Sequence, residues 1–324
     1  LNADTHGTIS MDTPVNFLRG RTRADAAPGA APFDRAVPGA LLRWYDEHAR
    51  DLPWRRTSDP YAIMVSEFML QQTQVKTVIP YYHSFLDRFP SFAALAEAPV
   101  EAVLEAWKGL GYYRRARNLH AAAKAVVERY GGEAPREWDA FRGLPGVGDY
   151  TAAAVLSIAF GKPYPAVDGN VIRVGARLLD ASEAADSMRL RRRIAAGLSA
   201  IIPHDRPGDF NQAMMELGAT LCLPHTPECG PCPLATMCLA KAAGRAAALP
   251  LPARRTAARE ERYFVVVPRL GHSTLLAQRP DEGLLAGLWE FPRLPADAFS
   301  PGELSSAGVL SDGARLGRVS AGAL

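Results

Sequence analysis

The chain has 324 residues, of which 48% are hydrophobic, and its formal net charge is only +3. This length predicts two domains, or one domain with appendages, and the composition is sufficient for a substantial core. The small net charge excludes nucleic-acid binding that depends on a field over the whole molecule, so any such affinity must come from local clusters of Lys and Arg.

The N-terminal segment and the region after it differ sharply in composition. Residues 1–38 are rich in Ala, Pro, Gly and Asp, and we expect a disordered tail there. From residue 39 to about 240, apolar residues recur at helical spacing between Gly and Pro turns, which predicts an all-α domain. The clearest predicted helices are 40–48, 62–77, 81–88, 100–107, 117–130, 152–160 and 171–179.

Glu67 lies on the second of these helices in apolar surroundings. Ile63, Met64 and Leu70 occupy the helical positions i−4, i−3 and i+3 around it. Loss of hydration raises the pKa of a carboxyl group and keeps it protonated near neutral pH, as a general acid requires. The alternative is an ordinary glutamate near the start of a helix.

The segment LPGVGDYT at 144–151 predicts a turn between two helices. Gly146 and Gly148 allow the backbone to turn tightly and to approach a ligand closely. The following helix begins with free amides that favour an anion. We predict a helix–hairpin–helix over 143–160 that grips a DNA phosphate without reading sequence; the alternative is a simple turn between helices.

Asp168 directly precedes the predicted helix 171–179. This position is typical of a helix N-cap, and backbone amides that bind a capping carboxylate also keep it ionised and fixed. An ionised Asp168 opposite a protonated Glu67 is the arrangement that breaks a glycosidic bond, because one group protonates the leaving group and the other stabilises the sugar cation.

All four cysteines of the chain fall within 17 residues, with the spacing C-x6-C-x2-C-x5-C. A crowded quartet of this kind indicates a metal site rather than disulfides. Four thiolates hold either a [4Fe–4S] cluster or a tetrahedral zinc ion, and the single short C-x2-C pair favours the cluster. The predicted ligands are Cys222, Cys229, Cys232 and Cys238.

The composition changes again after the cysteines. Residues 241–260, rich in Ala, Pro and Arg, predict a linker. The segments 263–268, 273–277 and 289–292 predict short strands of a second, mixed α/β domain. Residues 261–324 are too few for an independent unit of this kind, so we expect a truncated domain.

Several segments together resemble the endonuclease III superfamily and, within it, the MutY-type adenine DNA glycosylases. The resemblance covers residues 44–294, about three-quarters of the chain. The run LLAGLWEFP at 284–292 resembles the start of that family's Nudix-like C-terminal domain. The most specific segments are LPW (52–54), SEFMLQQTQV (66–75), GLGYY (109–113), LPGVGDYT (144–151), VDGNV (167–171), FNQAMMELG (210–218) and the cysteine loop.

The resemblance implies a mainly helical, two-lobed glycosylase domain with an iron–sulfur loop, followed by a partial Nudix-like domain. It implies that Glu67 protonates N7 of an extruded adenine and that Asp168 stabilises the sugar cation, while Tyr150 and Asn170 orient the carboxylates and the sugar. It further implies that Arg50 and Trp54 form the wall of the adenine pocket. Contacts around the base opposite fall to Gln72, Thr73, Leu110 and Tyr112.

The resemblance also implies a function in base-excision repair. The substrate would be double-stranded DNA with adenine paired with 8-oxoguanine or guanine. The lysine of the strand-cleaving relatives is replaced by Tyr150, and a second lysine position by Ile172, so we expect a monofunctional enzyme. The basic run Arg114, Arg115 and Arg117 is predicted to meet phosphates.

Two alternatives stay open at this point: a glycosylase for mismatched or damaged pyrimidines, and a non-catalytic iron–sulfur protein that binds DNA. We expect a monomer that does not bind membranes. The sequence shows no apolar run of transmembrane length and no secretory signal, and a cytoplasmic, nucleoid-associated location is expected.

Overall fold

The computed structural model describes residues 33–252, 263–270, 273–280, 285 and 287–295. The chain divides into two compact units, residues 1–254 and residues 255–324. The described part of the first unit is helical, and that of the second consists of short antiparallel strands. None of the described helices is long and apolar enough to cross a membrane.

Twelve α-helices build the described part of the first unit, and two single 3₁₀ turns, Pro53–Arg55 and Ala246–Ala248, accompany them. The helices are α1 (Val37–His48), α2 (Pro60–Leu70), α3 (Val75–Arg88), α4 (Phe92–Glu97), α5 (Val100–Ala106), α6 (Arg114–Tyr130), α7 (Trp138–Arg142), α8 (Asp149–Phe160), α9 (Gly169–Leu178), α10 (Met188–Ser199), α11 (Pro207–Thr220) and α12 (Leu239–Ala242).

The buried side chains of this unit form two large clusters. One is centred on α2 to α6 and α8 and contains Phe68 and Trp107. The other is formed by α1, α9, α10 and α11 and contains Ile194 and Phe210. Each large apolar side chain that is fully buried contributes about 1.5–3 kcal/mol, so the two clusters hold the helices firmly on either side of the site described below.

The predicted helix 62–77 is wrong in its extent. Helix α2 ends at Leu70 and α3 begins at Val75, because Gln72 adopts a left-handed conformation with φ 58° that no α-helix contains. Pro80, expected to separate two helices, lies inside α3. It removes one backbone donor but does not end the helix.

The predicted boundary between tail and domain at residue 38 is too late. Phe33 and Val37 are buried, and α1 begins at Val37. The ring of Phe33 fills the space next to Gly197, where a Cβ atom would lie only 2.7 Å from the ring. Residues 33–38 therefore belong to the helical unit, whereas residues 1–32 of the predicted tail lie outside the described residues.

The first part of the predicted linker 241–260 is also packed on the helical unit. Leu249 is buried, and its carbonyl accepts a hydrogen bond from Nε of Arg177 at 2.9 Å. Leu251 forms an isolated parallel bridge with Ala184. Residues 253–260 of the predicted linker lie outside the described residues.

The described part of the second unit contains six short strands, β1 (Tyr263–Val265), β2 (Arg269–Leu270), β3 (Ser273–Thr274), β4 (Ala277–Gln278), β5 (Trp289–Glu290) and β6 (Arg293–Pro295). They form three antiparallel pairs, β1 with β6, β2 with β3 and β4 with β5. The predicted strand 263–268 is shorter than expected, the predicted strand 273–277 is divided between β3 and the start of β4, and the predicted strand 289–292 coincides in part with β5.

Candidate active site

A cavity of about 620 Å³ opens in the helical unit, lined by residues of α2, α8, α9, α11 and the 3₁₀ turn Pro53–Arg55. Eight of the twelve residues predicted to act on base or DNA line it. They are Arg50, Trp54, Glu67, Gln72, Thr73, Tyr150, Asp168 and Asn170. The predicted carboxyl pair, far apart in sequence, therefore shares one cavity.

Glu67 projects into this cavity from a helix that is buried on all sides. Residues 61–69 of α2 are all buried, rather than only one stripe of them. Glu67 is 5% exposed, and its Oε2 atom has no hydrogen-bond partner among the described residues. Burial raises the pKa of this carboxyl to about 7; the nearby Tyr150 hydroxyl opposes the shift, and the charge of Asp168 adds to it.

Asp168 is held in a different way. It is the N-cap of α9, as predicted, and its Oδ1 accepts a hydrogen bond from the Val171 amide at 2.7 Å. Its Oδ2 accepts from Nδ2 of Asn170 at 2.9 Å. Burial raises the pKa of Asp168 above its ordinary value, although these hydrogen bonds and the charge of Arg173 oppose the shift. Donors bind both oxygens of Asp168 and favour its ionised form, whereas Oε2 of Glu67 has no donor among the described residues, so these contacts favour a proton on Glu67 rather than on Asp168.

Tyr150 and Asn170 stand beside the two carboxyls. The pKa of Tyr150 is raised well above its usual value, first by burial and then by both neighbouring carboxyls, so the phenol stays protonated. Its hydroxyl donates to Sδ of Met215 at 3.2 Å. Oδ1 of Asn170 accepts from Nη2 of Arg173 at 2.8 Å, which orients the amide nitrogen of Asn170 toward Asp168.

The lining of the cavity also contains an ion cluster, of which only Arg50 was predicted from the sequence. Nε and Nη2 of Arg50 donate to the two oxygens of Glu216 at 2.6 and 2.7 Å, and Nη2 of Arg55 donates at 2.7 Å. Glu216 is 1% exposed; burial alone would raise its pKa, but the hydrogen bonds from Arg50 and Arg55 lower it to about 2.

Glu216 and Arg55 were not among the predicted site residues. One indication of Glu216 is present in the sequence, where it is the single carboxylate in the apolar run 213–217 of the segment FNQAMMELG. Trp54, which was predicted, is buried, and its ring packs edge-on against Tyr82 with centroids 5.5 Å apart. It therefore serves both the core and the cavity wall.

The residues predicted to contact the opposing base lie in two turns. Gln72 is exposed and Thr73 half-buried where α2 gives way to α3. In the second turn, Leu110 is buried, whereas Tyr112 is 62% exposed and has φ 48°. Tyr112 is therefore not a core aromatic, and Leu110 and Tyr112 are not among the residues that line the cavity.

The basic run was predicted wrongly at one position. Arg114 and Arg117 are exposed on α6, as a contact with phosphates needs. Arg115 is only 7% exposed, and its guanidinium binds backbone carbonyls inside the protein. It is not available to a phosphate.

The helix–hairpin–helix consists of α7, the turn 143–148 and α8. Gly146 has φ 72°, and a Cβ atom there would collide with the side chain of Asn118. Gly148 differs from the expectation, since its φ of −93° is open to any residue. The space where its side chain would lie is empty to 4 Å, so a ligand can approach the first amides of α8 closely.

The four cysteines line one small cavity together with Arg177. Nη1 of Arg177 donates to Sγ of Cys222 at 3.1 Å and to the carbonyl of Leu223 at 2.7 Å. Burial and then the neighbouring thiols raise the pKa of Cys232 to about 11. Among the described residues, no three His, Cys, Asp or Glu side chains are arranged for a single metal ion. The donor set itself, four sulfurs around one cavity beside a guanidinium, fits a group that binds thiolates.

Comparison with known proteins shows the superfamily to which the helical unit belongs. A family profile described as "HhH-GPD superfamily base excision DNA repair protein" matches residues 65–199, which run from the middle of α2 to the end of α10. The structure titled "Structure of a thermostable thymine-DNA glycosylase" superposes with a TM-score of 0.60 at 31% identity, covering 64% of this chain and 97% of that one. The fold is that of helix–hairpin–helix base-excision repair proteins.

Two relatives narrow the assignment. The human protein "Adenine DNA glycosylase" is 41% identical, over 79% of this chain and 57% of its own length. The protein of the same name from Schizosaccharomyces pombe is 35% identical, over 79% of this chain and 68% of its own. The chain belongs to the adenine DNA glycosylase family, and it spans 57% of the length of the human relative.

Proposed function

We propose that this protein removes adenine from double-stranded DNA where it is paired with 8-oxoguanine or guanine. The observation that carries the proposal is the pair Glu67 and Asp168 in one cavity, with the proton favoured on Glu67 and hydrogen-bond donors on both oxygens of Asp168. The relatives named adenine DNA glycosylase support adenine as the base.

The chemistry is hydrolysis of an N-glycosidic bond. An adenine extruded from the DNA duplex enters the cavity, whose volume of about 620 Å³ is large enough for a base. Glu67 donates its proton to N7, which turns the base into a neutral leaving group, and the bond to the sugar breaks. The charge of Asp168 stabilises the sugar cation until water adds, while Tyr150 and Asn170 orient the two carboxyls.

The remaining site residues bind the base and the duplex. Arg50 and Trp54 form the pocket wall, and the turns with Gln72, Thr73, Leu110 and Tyr112 meet the base opposite. The backbone amides that follow Gly146 and Gly148 bind a phosphate of the DNA at the N-terminus of α8. We further propose that the protein acts as a monomer, associated with the nucleoid.

A [4Fe–4S] cluster is the group proposed for Cys222, Cys229, Cys232 and Cys238. Such a cluster, when bound, cross-links the loop and supplies a one-electron redox centre. Arg177 binds the sulfur of Cys222 and two carbonyls of the loop, which holds the ligands in place. Iron and sulfide analysis with visible absorbance tests the proposal. Colourless protein that contains zinc would refute it.

Residues 261–324 are proposed to belong to a Nudix-like domain, and the antiparallel strand pairs among the described residues are consistent with that. The helical unit is proposed to lack lyase activity. No amine stands at position 150, where the half-buried Tyr150 lies beside Glu67, and Ile172 is buried. Borohydride should therefore trap no covalent complex with DNA; efficient trapping would contradict this part of the proposal.

Single-turnover base release from matched duplexes tests the function. Three duplexes of one sequence carry A opposite 8-oxoguanine, A opposite G, or T opposite G. Adenine release from the first two and none from the third supports the proposal. Release of thymine alone would favour the second candidate, a mismatch thymine glycosylase, for which the structural similarity to a thymine-DNA glycosylase speaks.

A further inference from the structure

Arg115 makes an unusual set of contacts at the start of α6. Its guanidinium divides between two segments that are far apart in sequence. Nη1 donates to the carbonyls of Phe68, Met69 and Gln71 at 3.1, 2.7 and 2.5 Å, at the end of α2.

The other nitrogen of the fork binds the turn that precedes α6. Nη2 donates to the carbonyls of Leu110 and Gly111, both at 3.1 Å. The cation also lies over the rings of Trp107 and Tyr112, 5.5 Å from each centroid. One buried guanidinium thus joins the two turns side by side, with backbone oxygens as its acceptors.

Both turns contain a strained residue that faces solvent. Gln72 in the first and Tyr112 in the second are exposed and have φ values of 58° and 48°, a region that costs energy for residues other than glycine. Such strain persists only where surrounding contacts enforce it, and it is concentrated at functional sites. Residues of the first turn also line the cavity that holds Glu67.

We propose that Arg115 is a positioning residue: it holds these two strained turns in one fixed arrangement, so that Gln72 and Tyr112 are presented together to the DNA duplex beside the cavity. The part of this inference that concerns DNA rests on the proposed function. The part that concerns the coupling of the two turns does not.

The test is Arg115→Lys, which keeps the charge and the stem but replaces the planar fork by one ammonium group. Hydrogen exchange is followed at the amides of Thr73 and Leu110, which donate to Leu70 and Trp107 at 3.3 and 3.1 Å. Both amides should exchange about tenfold faster or more, because local opening of the turns becomes easier.

The matched control is Tyr61→Phe, which removes another buried hydrogen bond of α2, from the Tyr61 hydroxyl to the carbonyl of Phe89 at 2.5 Å. It should lower the thermal midpoint without changing exchange at either turn. If Arg115→Lys folds and both turns exchange as in the wild type, the proposal is overturned. If it does not fold, wild-type exchange in mild denaturant decides: Thr73 and Leu110 must open together, and independent opening refutes the coupling.

Activity supplies the second readout. Single-turnover base release by Arg115→Lys should fall by roughly 10- to 100-fold, since displacement of positioning groups by about 1 Å has effects of this size. Tyr61→Phe should release base at the wild-type rate. If the wild type releases no base, the proposed function fails, whereas the exchange measurements still decide whether Arg115 couples the turns. Wild-type rates in Arg115→Lys would refute its role toward DNA.

Discussion

Two glutamates that line one cavity show how hydrogen-bond partners, rather than burial alone, decide the ionisation of a carboxyl. Glu67 is 5% exposed and Glu216 is 1% exposed, so burial is nearly the same for both. Glu67 has an oxygen without a partner among the described residues, and burial raises its pKa to about 7. Glu216 is also buried, but its hydrogen bonds to two arginines lower its pKa to about 2. The same cavity therefore contains one carboxyl that ionises near neutral pH and one that stays ionised far below it.

The largest loss of activity is expected for Glu67→Gln. The amide has nearly the same shape but no acidic proton, so single-turnover base release should fall by about 10²- to 10⁴-fold, the usual contribution of general acid catalysis. Affinity for the duplex, measured by fluorescence anisotropy, should be unchanged. A variant that remains active would remove Glu67 from the role of acid.

The corresponding change at the second glutamate, Glu216→Gln, should mainly lower the free energy of unfolding. It leaves Arg50 and Arg55 without their buried counter-charge, and breaking a buried ion pair from one side costs roughly 3–5 kcal/mol of unfolding free energy. Urea denaturation measures the loss. The control is Asp51→Asn, which breaks the exposed pair with Arg56 and should leave the urea midpoint unchanged. Equal midpoints for Glu216→Gln and the wild type would contradict the assignment.

The two glutamates should also differ in their effect on the pH dependence of activity. Because Glu67 must carry a proton to act, base release should decline as the pH rises through about 7. Glu216 is already ionised far below that range, so it adds no limb near neutral pH. Single-turnover rates across the neutral range check this. A rate that stays level well above the pKa of Glu67 would exclude it as the proton donor.

The raised pKa of Glu67 should also make the stability of the folded protein depend on pH, which is the weakest of these effects. The folded protein holds the proton of Glu67 up to about pH 7, whereas the unfolded chain releases it near its ordinary value of 4.5. Between these values the folded state binds more protons, so stability falls as the pH rises, and this loss is complete above the folded pKa. Glu67→Gln removes the loss and should melt a few degrees above the wild type at alkaline pH, with the difference shrinking in acid. Parallel melting curves at all pH values would argue against the raised pKa.

The sequence alone allowed prediction of those site residues whose signal is local. Asp168 stands directly before the helix it caps, and Glu67 sits among apolar residues of its own helix. Glu216 and Arg50 are 166 residues apart, and no local pattern reports such a pair. Only the tertiary structure therefore shows that Glu216 and Arg50 form an ion pair in the lining of the cavity.

The errors in the helical unit have the same origin. The break after Leu70 depends on a left-handed Gln72 whose neighbouring carbonyls are bound by Arg115, 44 residues away from Gln71. Arg115 itself was grouped with Arg114 and Arg117, although helical geometry turns it inward while the other two face solvent. Local composition predicted the helices and their chemistry, but not which long-range contact would end one of them.

The enclosure of α2 has a consequence for altering which base the cavity accepts. Every residue from 61 to 69 is buried, and shortening a large side chain in such a place costs about 2–5 kcal/mol. The cavity lining also includes Leu70 and Ala219, neither of which is buried. Attempts to redesign base selectivity therefore have more room at such partly exposed positions than at residues 61–69 of the helix that carries Glu67.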